Sequence, residues 1–414
     1  FDADFYRQSL PPADRGRGNP YPLVHYLARG ARSQDPHPLF DSGYYLEKYA
    51  DVREQGINPL VHYLQRGAGE KRQPSPLFDT AYYASQYPDV VTVGINPLAH
   101  YLKYGAGEGR NPNPLFDTAY YLRRYPEAAE SGMNPLVHYV ECGAGQGWKP
   151  SPLFDTAYYL RQNPEVAASG LDPLSHYLER GAGEDRNPHP LFDSAYYRKR
   201  CPEALAAGVN PLVHFLRYGN REGHDPHPLF DTAYYLQHYP DVVESGVNPL
   251  IHYLECGAAD GRKPHSLFDT AYYSLRYADA AESGMNPLVH YLELGARDGK
   301  KPHPLFDTIY YLDAYPDVAK SGINPLLHYV LFGAQEGRNP NPLFDTKYYV
   351  ENNPEVVASS VNPLAHYIEK GAAEGRDPGP DFDTAYYLEM SPDVARDGGN
   401  ALIHYLEYGI REDR

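Results

Sequence analysis

The chain has one tryptophan, three cysteines and three methionines in 414 residues. Three cysteines cannot form a disulfide framework. Cys142 and Cys256 hold the same place in a repeating pattern three periods apart, too far for a bridge in a linear stack. All three read as structural filler. No apolar run approaches the length of a membrane-spanning helix, and no signal-peptide pattern is seen. Strand signals are nearly missing too, because prolines interrupt each apolar run and none alternates. Positive charge is in deficit. A formal charge of −17 argues against nucleic acid or an anionic membrane as partner.

What is present in quantity is tyrosine and proline, 41 and 40 copies, and both recur at fixed places. A Phe-Asp landmark begins at Phe1, Phe40, Phe78, Phe116, Phe154, Phe192, Phe230, Phe268, Phe306, Phe344 and Phe382. The first interval is 39 residues and the later ones are 38. Eleven units therefore fill residues 1–414 as a single continuous array. Fixed periods of this size mark solenoids and related repeat architectures.

One unit, Phe78 to Leu115, shows the local logic. Asp79 can cap a helix that begins at Thr80, and Tyr83 and Tyr87 share a face of it. Pro88 ends that helix and opens a short one, with Asp89 at its positive end, until Gly94 stops it. Asn96-Pro97 starts a third helix, which Gly105 should end about two turns later. Ala106 to Pro114 reads as a loop. The expected fold is an all-α solenoid of two to three short helices and a Gly/Pro loop per unit. Neighbours must stack to complete the core, in a rod or superhelix on the order of 100 Å long. The first unit carries a two-residue excess within Asp14 to Gly18, and the last has Asn400-Ala401 in place of Asn-Pro. Weak capping and a longer or associating array account for these departures equally well.

The most constant polar residue is a histidine: His25, His62, His100, His138, His176, His214, His252, His290, His328, His366 and His404. On a wheel of about 100° per residue, Leu98 and Leu102 mark the core side and His100 points nearly opposite. The expectation is a tie between neighbouring repeats. A binding surface or a metal ladder is the sharper alternative, but no His-x-x-x-His or Cys-x-x-Cys pair occurs, and successive copies lie too far apart to share an ion. No resident metal or other cofactor is expected.

The aspartates Asp41, Asp79, Asp117, Asp155, Asp193, Asp231, Asp269, Asp307, Asp345 and Asp383 are expected N-caps. A second acidic series (Asp51, Asp89, Glu127, Glu165, Glu203, Asp241, Asp279, Asp317, Glu355 and Asp393) suits a helix start. Loop histidines His37, His189, His227, His265 and His303 share their position with Ser75, Asn113, Ser151, Asn341 and Gly379, which suggests a solvated turn. The tyrosines read as core, with a carbohydrate platform as the other use of such rings. No nucleophile elbow, phosphate loop or dinucleotide fingerprint occurs, and each candidate group is present ten or eleven times. Catalysis is not expected.

The succession Phe230-Asp231-Thr232-Ala233-Tyr234-Tyr235-Leu236, Pro240-Asp241-Val242, Asn248-Pro249-Leu250-Ile251-His252-Tyr253-Leu254, then Gly333-Ala334-Gln335-Glu336-Gly337-Arg338-Asn339-Pro340 in a later copy, resembles a bacterial tandem repeat. Such repeats accompany glycosyltransferase domains and occur in large secreted or surface proteins. The likeness covers essentially the whole chain and is specific to the repeat, not to an activity. It implies a non-catalytic structural or interaction module of the cell envelope or extracellular space. Its implied partners are other copies of itself, surface proteins or polysaccharide. The leading expectation includes end-to-end assembly into fibres, and the functional alternatives are a glycan-binding module or the non-catalytic part of a glycosyltransferase system, and a histidine metal ladder.

Overall fold

The computed structural model describes residues 1–10, 21–32, 34–202, 208–359, 361–396 and 398–412. The Asp14 to Gly18 excess and Glu203 lie outside the described residues. Among those described, the fold is helical throughout, with single-residue bridges such as Ser75 to Phe78 but no strand.

In the unit from Phe78, α1 spans Thr80–Gln86, α2 Pro88–Thr92 and α3 Pro97–His100. Asp79 caps α1 by accepting from the Tyr82 N–H at 2.9 Å. Tyr87 then leaves helical geometry at φ −127°, as the proline after it requires. Gly94 ends α2 with φ +73°, a left-handed turn that suits glycine. Asn96 caps α3 through Ala99 N–H, with Pro97 at the first position.

The third helix departs from expectation. After four α residues it widens into a π turn, Tyr101–Gly105. The N–H of Ala106 reaches back five residues to the Tyr101 carbonyl at 3.0 Å. The same change from α to π follows each histidine from His62 onward among the described units. Gly105 does not end this helix as a left-handed cap. Its Cα is the floor against which α1 packs.

A backbone bond closes ten of the units on themselves. The N–H of Asp79 donates to Pro112 O at 3.1 Å, and the pairs Asp41–Pro74, Asp117–Pro150, Asp231–Pro264 and Asp307–Pro340 repeat it. The core of a unit is its Phe-Asp phenylalanine, the second tyrosine of α1, the α2 valine and the α3 leucine: Phe78, Tyr83, Val90 and Leu98 are buried.

The chain divides into two compact bodies. One comprises Phe1–His189 with Glu203–Leu216, the other Pro190–Pro202 with Arg217–Arg414. Within each, elements that pack closely are neighbours in sequence. Side-chain tips in the second body also join units far apart. Tyr272 and Arg276 meet Glu407, and His238 meets Glu369. These partners are 131 and 135 residues apart, about three and a half periods, so that body winds back on itself.

Candidate functional site

The histidine series is built into its own unit. Nδ1 of His25, His62, His100, His138, His176, His252, His290, His328, His366 and His404 is joined to a tyrosine hydroxyl at 2.8–3.0 Å. The partner is the second tyrosine of the unit's first helix, Tyr83 for His100. His214 is buried at the same place. This differs from a tie between neighbouring repeats, and the face opposite the leucines is not a solvent face. The wheel treated the third helix as lying on one core, whereas α1 of the same unit covers its other side.

Glycine completes the arrangement. A Cβ on Gly105 would overlap the Tyr83 hydroxyl and come within 3.3 Å of His100 Nδ1. The same overlap arises at Gly67, Gly143, Gly181, Gly257, Gly295, Gly333 and Gly371. Hence Tyr, His and Gly, spread over 23 residues in units such as Tyr83 to Gly105, form a recurring buried or half-buried node. Burial holds His138, His176, His252, His290, His328 and His366 below the usual imidazole range, so each ring is neutral and can accept from the tyrosine.

In several units the residue after the histidine makes an inter-repeat tie through its hydroxyl. Tyr63 OH meets Thr80 Oγ1 of the next unit at 3.1 Å, and Tyr139–Thr156, Tyr253–Thr270 and Tyr26–Ser42 repeat the contact at 3.0–3.2 Å. Thr80 Oγ1 in turn donates to Arg72 O at 2.7 Å. Sequence spacing could not distinguish the two adjacent residues. Both recur, and only packing assigns them to different partners.

The expected N-caps are caps. Asp41, Asp79, Asp117, Asp155, Asp193, Asp231, Asp269, Asp307, Asp345 and Asp383 each accept from the N–H three residues on. The described members of the second acidic series sit in the first turn of their helices. Six of them (Asp51, Asp89, Glu165, Asp241, Asp317 and Glu355) also clamp a loop arginine, while Asp279 takes Lys300. Arg72 takes Asp51 with both terminal nitrogens at 2.8 Å, takes Glu70 at 2.6 Å, and lies over the Tyr49 ring. Arg110 with Asp89, Arg338 with Asp317 and Arg262 with Asp241 also lie over a tyrosine ring, whereas Arg186 with Glu165 and Arg376 with Glu355 reach Asn163 and Asn353 in its place. In the fourth unit Trp148 replaces the arginine, stacked on Tyr125 at 4.3 Å and beside His138.

The loop histidines are not solvated. His189, His227, His265 and His303 are buried. In His227, His265 and His303, Nδ1 accepts the N–H two residues on at 3.0–3.1 Å, as it does in the half-buried His37. Asn113 accepts the same bond at 2.8 Å, which explains the His/Asn exchange. At Gly379 a Cβ would press on Leu343 O. Burial drives His37 down to about 4, and His227 and His303 to about 3. The cysteines are free thiols. Cys201 is buried as filler, but Cys142 and Cys256 are exposed.

Among the described residues no three His, Cys, Asp or Glu side chains gather closely enough to hold a metal ion. No described helix is long and apolar enough to cross a membrane. Comparisons with known protein families, curated proteins and solved structures found no match. The fold and its nodes define an all-α tandem-repeat solenoid, rich in tyrosine.

Proposed function

We propose that the chain is a non-catalytic structural and interaction scaffold, working at the cell envelope or outside the cell through contacts with further copies, surface proteins or polysaccharide. One observation carries this reading: most of the recurring polar side chains are spent on contacts within and between units, in much the same way from copy to copy. The histidines hold tyrosines, the first aspartates hold helix ends, and the second acids hold arginines. Active sites need a group left poised for substrate, and it is ordinarily singular. The resemblance to repeats of secreted and surface proteins supports the location.

Sedimentation velocity and negative-stain microscopy over a wide concentration range test the self-partner form. Growth into longer particles supports it, and a strictly monomeric species throughout removes it. A glycan-binding reading draws on the rings four residues after the histidine, where Tyr104 is 47% and Tyr408 58% exposed. Aromatic faces of that kind suit sugar rings. Glycan-array binding that survives Tyr104→Ala and Tyr408→Ala together would dismiss that version.

A further inference from the structure

We propose that the contacts between distant units of one body are salt-breakable latches, which open while the individual units stay folded. The observation is a register shared by three places. Tyr272 OH donates to Glu407 Oε1 at 3.3 Å, and Arg276 Nη1 to Glu407 Oε2 at 3.2 Å. One unit earlier, His238 Nε2 lies 3.3 Å from Glu369 Oε2, and the field of that carboxylate helps raise the Tyr234 pKa. In the first body the same spacing sets Glu179 against Tyr44 and Lys48. Its charge acts on both, and their neighbour Asp41 acts on Glu179. The acid always stands three residues after a unit's histidine. The tyrosine and its basic neighbour (arginine, lysine or histidine) stand on the outer face of a first helix about three and a half units before.

Two physical features make this a latch and not part of the core. The bond is carried by side-chain tips, since the closely packed elements are neighbours in sequence. Its groups are also open to water: side-chain exposure is 41% for Arg276 and 20% for Glu407, 37% for His238 and 33% for Glu369. Ion pairs of that kind are individually weak, and salt screens them. Neighbouring units, in contrast, join through buried neutral bonds, the Tyr–Thr pairs and the Asn113 and Asn341 amides on Leu77 and Leu305 carbonyls, which salt hardly touches. Salt therefore separates two layers of stability within one chain.

The sign of the effect makes it distinctive. Screening the net charge of −17 relaxes self-repulsion and by itself compacts a chain, whereas opening latches expands it. The test uses the full chain with Cys142→Ser, Cys201→Ala and Cys256→Ser. Spin labels go at Leu275→Cys and Tyr408→Cys, 87% and 58% exposed beside the Arg276–Glu407 latch. We expect the inter-label distance to lengthen and broaden between low salt and about 1 M, where the screening length falls to about 3 Å. Helical circular dichroism should stay unchanged. Glu407→Lys should open the pair already at low salt, and adding Arg276→Glu should close it again. A distance indifferent to both salt and Glu407→Lys would overturn the proposal. So would opening accompanied by loss of helical signal, or failure of the swapped pair to restore closure.

Discussion

A tyrosine hydroxyl pressed against a glycine explains the most constant residues in the chain. Tyr83 OH occupies the space a side chain at position 105 would need, and His100 satisfies that hydroxyl. Gly105→Ala should therefore cost about 1–3 kcal/mol in urea denaturation, the range for overpacking. Tyr83→Phe removes the clashing oxygen and should absorb much of that cost, giving clear non-additivity. Strictly additive effects would contradict the node. Asp172 replaces the capping Asn of most other units, and its Oδ2 is buried without a hydrogen bond. Burial raises its carboxyl to about 6. A raised carboxyl is a penalty on the folded state above that pH, and the penalty lifts as pH falls toward the unfolded value near 3.8. Asp172→Asn should stabilise the protein at pH 7 by roughly 1–3 kcal/mol and gain nothing at pH 3.5, a difference that paired melting curves would expose.

The buried loop histidines carry the opposite sign. His227 is neutral in the fold down to about 3, while the unfolded ring takes a proton near 6.5. Its contribution is fully present above pH 6.5 and is lost as pH falls through that window. His227→Asn keeps the turn bond that Asn113 makes, so the difference in unfolding free energy between wild type and variant should widen in the variant's favour from pH 6.5 to 4. A difference flat with pH would refute this account.

At the scale of the element, start signals were the most legible part of the sequence. An Asx residue followed by proline, or Phe-Asp before a helix-forming run, names its own hydrogen bond, because a cap is satisfied within three residues. Asn248→Ala should accordingly cost about 1 kcal/mol of stability by chemical denaturation, and an effect near zero would mean the cap bonds to Leu250 and Ile251 do not matter. The π turn was not legible. Tyr101 to Gly105 has ordinary helical composition, and only the packed structure shows the Tyr83 hydroxyl filling the space beside Gly105 where the register widens. The arginine clamp was half legible. The acid was visible as a helix-start charge, but its partner is 21 residues away and reached only when the loop folds back.

At the scale of the whole chain, units within each body meet their neighbours through recurring contacts, so stability should propagate from unit to unit there. Disrupting one tie in the second body, for example with Thr270→Val, leaves the Tyr253 hydroxyl without its threonine. Hydrogen exchange should then quicken in the flanking units more than in remote ones. Uniform acceleration along the chain would point to a single cooperative block instead.

The chain by itself determined the period, the helical class, the helix starts and the aspartate caps, because each depends on contacts within a few residues or on repetition alone. Tertiary structure decided which of two adjacent residues, His62 or Tyr63, faces inward to its own unit and which reaches the next. It also decided that loop histidines are core and that units three and a half periods apart touch. Those outcomes depend on where a second helix or a later turn lies in space. A one-helix wheel contains no such information.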